Sequence, residues 1–97
     1  MSFGENINTI SDEIKQLVQR NDINEISEYI KANNNSIHDI SHYASYTGNM
    51  QLIKFMIDNY DVNEVQMARY AALNKNKVAR NYILRLFKEK LDAMDSA

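Results

Sequence analysis

The chain reads as an all-α protein of about six helices, paired into three antiparallel helical hairpins that stack as a short solenoid. Two observations carry that reading. First, the sequence nearly repeats itself every 27 residues: Leu17, Ala44 and Ala71 align, as do Tyr29, Met56 and Ile83, and Ile30, Ile57 and Leu84. A repeat of this size denotes stacked supersecondary units, none of which buries its apolar face alone. Second, proline is absent and glycine occurs only at Gly4 and Gly48, which leaves few backbone breaks and argues against an all-β fold. The 97 residues make one domain, with units at about 9–35, 36–62 and 63–89 and a tail at 90–97.

Each unit opens on a capping signal. Thr9, Ser36 and Asn63 stand where a helix should start, and Asp12, Asp39 and Gln66, three residues on, can each complete a capping box. In the first hairpin Ile10, Ile14, Leu17 and Val18 form an apolar stripe at helical spacing, Asn21 and Asp22 interrupt it, and Ile23, Ile26, Tyr29 and Ile30 form another. Asp22 followed by Glu25 is a further capping signal. The second hairpin runs from Ser36 through Ile37, Ile40 and Ala44 to Gly48, then from Asn49 through Met50, Ile53, Met56 and Ile57 to Tyr60. Its break falls at a glycine, the residue that most readily ends a helix in the left-handed conformation. The third runs from Asn63 through Val65, Met67 and Ala71 to Asn74, then from Asn76 through Val78, Tyr82, Ile83 and Leu86 to about Leu91. There Lys77 and Arg80 replace Met50 and Ile53, which leaves room for a one-residue slip of register.

The stretch Ser41 to Asn63, SHYASYTGNMQLIKFMIDNYDVN, resembles the core of an ankyrin repeat. The matching positions are His42, Ala44, Ser45, Gly48, Asn49, Ile53, Met56, Ile57, Asp61, Val62 and Asn63. The flanking units match by spacing, with Asn21-Asp22 and Lys75-Asn76 in place of Gly48-Asn49. An ankyrin unit has about 33 residues, and the deficit falls where that family carries its projecting β-turn finger, so the finger is expected to be missing. The resemblance implies a protein-binding scaffold without enzymatic activity. It places Tyr46 and Thr47 on the concave surface, with Gln19 and Arg20, and Leu73 and Asn74, as their counterparts under the repeat; Tyr43 joins these as a partner-binding candidate.

Composition narrows the chemistry. There is no cysteine, which excludes disulfides and thiolate metal sites. The opening MSFGENINTI has no signal-peptide character and no apolar run approaches the ~20 residues that span a bilayer, so a cytoplasmic protein is expected. His38 and His42, four apart with Asp39 between them, resemble the zinc-protease signature H-E-x-x-H. The base position holds the shorter Asp, no third ligand is suggested, and His42 has a structural counterpart in the ankyrin unit, so no metal or other cofactor is expected. No cysteine nucleophile, phosphate loop or serine elbow accompanies them, and no enzyme is expected.

What remains are surfaces. The six tyrosines offer large contact area with a polar tip; Tyr29, Tyr43, Tyr70 and Tyr82 can alternatively pack between hairpins. Residues 1–68 carry ten acids against four bases, and residues 69–97 seven bases against three acids. The basic patch Arg69, Lys75, Lys77 and Arg80, with Tyr70 and Tyr82 nearby, could hold nucleic acid, although the overall net charge of −2 is unlike a typical nucleic-acid domain. Leu84, Phe87 and Leu91, with Leu86, surround the last helix with more apolar surface than one packing face requires, which suggests self-association as a homodimer; alternatively Phe87 and Leu91 fold back over the second hairpin. The sequence therefore expects a stoichiometric binder of another protein, an adaptor or small inhibitor of the kind that viruses and mobile elements encode, with nucleic-acid binding as the alternative.

Overall fold

The hairpin turns recur on the backbone with the period seen in the sequence. In the computed structural model, which describes residues 7–95, Asn21, Gly48 and Lys75 have φ of 53°, 74° and 57° and stand 27 residues apart. At the second and third turns the bonding is the same as well. Gly48 N–H bonds Ser45 O and Asn49 N–H bonds Ala44 O; Lys75 N–H bonds Ala72 O and Asn76 N–H bonds Ala71 O. These are the paired carbonyl contacts of a Schellman ending. The next residue then caps the second helix of the hairpin: Asp22 accepts from Asn24 and Glu25 N–H, Asn49 from Leu52 N–H and Asn76 from Ala79 N–H. The third turn thus shows no slip of register.

These turns join α1 (Asp12–Arg20) to α2 (Ile23–Ala32), α3 (Ile37–Thr47) to α4 (Met50–Asn59), and α5 (Glu64–Leu73) to α6 (Lys77–Asp95). The described residues contain no strand, and no helix among them is long and apolar enough to cross a membrane. The connections between hairpins, residues 33–36 and 60–63, are too short to project a β-finger. Helices α1, α3 and α5 lie side by side as an inner layer, and α4 packs on α6 outside it.

Several helix boundaries differ from the expected ones. The N-cap of α1 is Ser11, not Thr9: its backbone is extended and its Oγ accepts from Ile14 N–H at 3.3 Å, while Ile10 is buried ahead of the helix. Ser36 is no cap either. It ends a 3₁₀ turn (Asn34–Ser36) that runs straight into α3, so its backbone is already helical, and its Oγ donates to Asn33 O at 2.6 Å. Asn63 does cap, accepting from Gln66 N–H at 3.0 Å. The last helix continues past Leu91 to Asp95. Val65 and Val78, members of the apolar runs of the third hairpin, are 46% and 71% exposed.

Burial along the repeat separates two kinds of interior position. Residues 14, 41 and 68 are buried in all three units, as are 17, 44 and 71; they fill the space within and between the layers. The sets Val18, Ser45, Ala72 and Ile26, Ile53, Arg80 and Ile30, Ile57, Leu84 are buried in the first two units but not in the third. These are stacking positions, covered by the next hairpin where one exists. Their third members form an open rung at the C-terminal end of the stack. The sequence pattern treated Leu84 as equivalent to Ile57, and in position it is; what it lacks is a neighbour.

Candidate functional site

The turns also link neighbouring hairpins and so fix the inner-layer surface. Asn49 Nδ2 donates to Asn21 Oδ1 at 3.0 Å, and Asn21 Nδ2 to Gln51 Oε1 at 3.3 Å. One unit later, the Asn76 side chain lies where a Cβ on Gly48 would stand. Asn74 Nδ2 donates to Tyr46 O at 2.8 Å, joining α5 to the end of α3.

On this frame the structure brings together four of the seven expected partner-binding residues. Tyr43 and Tyr46, half-buried on α3, stack with ring centroids 6.3 Å apart. Gln19 Nε2 on α1 donates to Tyr43 OH at 3.3 Å, and Asn74 holds the Tyr46 carbonyl from α5. Both tyrosines are packed against the core, and partly buried tyrosines present contact area whose side-chain freedom is already reduced, which lowers the entropic cost of binding. Thr47 turns its hydroxyl back to its own helix, bonding Tyr43 O and Ala44 O. Leu73 is 44% exposed. Arg20 is directed elsewhere, with Nε 2.9 Å from Glu25 Oε1 across the α1–α2 turn. Sequence reasoning missed Lys15, whose Nζ lies 6.0 Å from the Tyr43 ring centroid. Its place four residues before Gln19 on the same helix face was the available signal.

Of the two histidines, His42 is tied into the packing between hairpins, and His38 is exposed. His42 stacks on Tyr70 of α5, with centroids 4.5 Å apart, and lies 6.1 Å from His38. Burial, aided by the His38 charge, lowers the His42 pKa to about 4, and its Nε2 is buried without a hydrogen-bond partner among the described residues. No group of three or more metal-capable side chains occurs among those residues.

Of the basic patch, Arg69, Lys75 and Lys77 are exposed and Arg80 is half-buried. Arg69 is the repeat counterpart of His42, and Arg80 of Ile53, so both stand on the open rung. The aromatic rings expected beside them are engaged already: Tyr70 is 2% exposed under His42, and Arg85 lies over the Tyr82 ring at 5.3 Å. Of the self-association residues, Leu84 and Leu91 are 42% and 43% exposed and Phe87 is half-buried, so Leu91 does not fold back over the second hairpin.

Two features had no sequence signal. Glu64, at the start of α5, is buried and accepts from Lys90 Nζ at 3.1 Å. An open groove of about 380 Å³ runs over α4, between Ile23 and Tyr82, with Met50 and Phe55 in its wall. No family model matches the chain, and neither a curated protein nor a solved structure matches it.

Proposed function

We propose that the protein is a non-catalytic binding module, an adaptor or small inhibitor acting inside the cell by occupying a surface of another protein, and that its hairpins are ankyrin-like units without fingers. The observation that carries the reading is the Tyr43–Tyr46 stack on α3, where Gln19 of α1 donates to the Tyr43 hydroxyl and Asn74 of α5 to the Tyr46 backbone carbonyl. An aromatic pair on α3, hydrogen-bonded to the hairpins on either side, suits a protein interface, where tyrosine anchors concentrate binding energy. The short loops of the chain leave recognition to these helix faces. Nucleic-acid binding is the weaker reading, because stacking on bases needs open aromatic faces and Tyr70 is buried.

Affinity capture from the native host, with mass spectrometry of what is retained, tests the proposal. A stoichiometric protein partner is expected, lost on Tyr46→Ala with the fold intact. Recovery of no protein, together with nucleic-acid binding that persists at physiological salt and weakens on Lys77→Glu, would reverse it.

A further inference from the structure

The last helix outruns its counterparts and keeps an apolar face uncovered. Counted from Lys77, α6 has 19 residues where α2 and α4 have 10. Because Lys90 meets Glu64, the first residue of α5, residues 91–95 run on past the hairpin, and all of them are exposed. Along the outward side of α6, Arg80, Leu84, Phe87, Leu91 and Met94 follow one another at spacings of four, three, four and three. That is the alternation of a coiled-coil seam. Leu84, Leu91 and Met94 are 42%, 43% and 65% exposed, and Arg80 and Leu84 belong to the open rung.

The charges specify the direction of the partner. Lys77, Arg80 and Arg85 lie in the N-terminal half of α6, whereas Glu89, Asp92 and Asp95 lie toward its C-terminal end with Lys88 and Lys90 among them, and Lys90 is paired with Glu64. This order is the reverse of the one the helix dipole favours. An antiparallel neighbour of the same sequence turns it to advantage, since the basic part of each helix then lies against the acidic end of the other.

The geometry points to a two-fold dimer in which α6 pairs antiparallel with α6 of a second copy about an axis between Phe87 and Lys88. In that register Leu84 of one copy meets Leu91 of the other, and Arg80 meets Asp95. The overhanging end of each helix covers the open rung of its neighbour, where a fourth hairpin would otherwise stack. Lys88, near the axis in both copies, is the like-charge contact that the apolar seam must outweigh. The interface is self-complementary and closes on itself, so it makes dimers and not filaments.

Sedimentation equilibrium of the full chain over a concentration range, with helicity followed by circular dichroism, tests the proposal. Twice the chain mass is expected at high concentration. Arg80→Asp and Asp95→Arg should each weaken dimerisation about ten-fold, and the double variant should return it to within about three-fold of the starting affinity. The two residues are fifteen apart on one helix, roughly 22 Å at 1.5 Å per residue, so rescue cannot arise within a chain. Leu91→Asp, on the exposed overhang, should give a folded monomer. A monomer at every concentration would overturn the proposal and leave the face to a different protein; a dimer indifferent to Leu91→Asp, or one whose charge reversals do not rescue each other, would overturn this pairing.

Discussion

His42 gives up solvation to hold two hairpins together. Its ring is neutral in the fold because burial lowers its pKa from 6.5 to about 4, whereas the unfolded chain protonates near 6.5. Between those values the unfolded state binds more protons, so stability is full above about pH 6.5 and falls as pH drops toward 4. The effect is on the order of 2 kcal/mol: each tenfold change in proton affinity is worth about 1.4 kcal/mol, and the part of the ring still open to solvent reduces the sum. Urea titrations at pH 7 and pH 4.5 should show it, and His42→Phe should remove this part of the slope while keeping the stack on Tyr70. A variant as acid-sensitive as the parent would mean that other groups carry the effect. The histidine spacing was visible in the sequence, but the desolvation that gives it meaning comes from α5, 28 residues away at Tyr70, and no local pattern contains that.

Among the helices, the turns were the most legible elements and the starts of the inner helices the least. A left-handed residue followed by an N-cap has residue types with a mechanism, so Gly48-Asn49 announced itself and led to Asn21-Asp22 and Lys75-Asn76. Thr9 and Ser36 misled because a hydroxyl residue followed by Asp is a cap only if its own backbone is extended, which depends on how the preceding segment arrives. The same turns make a paired prediction with opposite signs. Gly48→Ala places a Cβ on a left-handed residue and against the Asn76 side chain, and should cost about 2 kcal/mol: left-handed strain plus a disturbed cap. Lys75 already bears that strain at φ 57°, so Lys75→Gly should stabilise by about 1 kcal/mol. Thermal melts would separate the two by several degrees in each direction; equal melting temperatures would mean that the turns relax.

For the molecule as a whole, the repeat made the fold class readable, and the limits of the repeat decided the surfaces. Ile53 and Leu84 both look like core aliphatics in sequence, yet Ile53 is fully buried and Leu84 is 42% exposed. Ile53→Ala should therefore cost about 2–5 kcal/mol, whereas Leu84→Ala, measured in dilute solution, should stay within about 0.5 kcal/mol. Similar losses at both positions would show the last rung to be covered. The inner surface was half legible: Tyr46 and Asn74 could be placed by the 27-residue shift, but Arg20 could not, because its partner Glu25 lies across a turn that the shift treats as featureless.

The two ends of the stack are finished differently. Ile7 and Ile10 are buried ahead of α1 and extend the core beyond the first hairpin, while Ala72 and Leu84 at the other end are left bare. Stacked units of this kind interact only with their neighbours, so the architecture has a direction of growth. A further hairpin stacked on the C-terminal side would meet stacking positions that are still uncovered, whereas one stacked on the N-terminal side would have to displace Ile7 and Ile10.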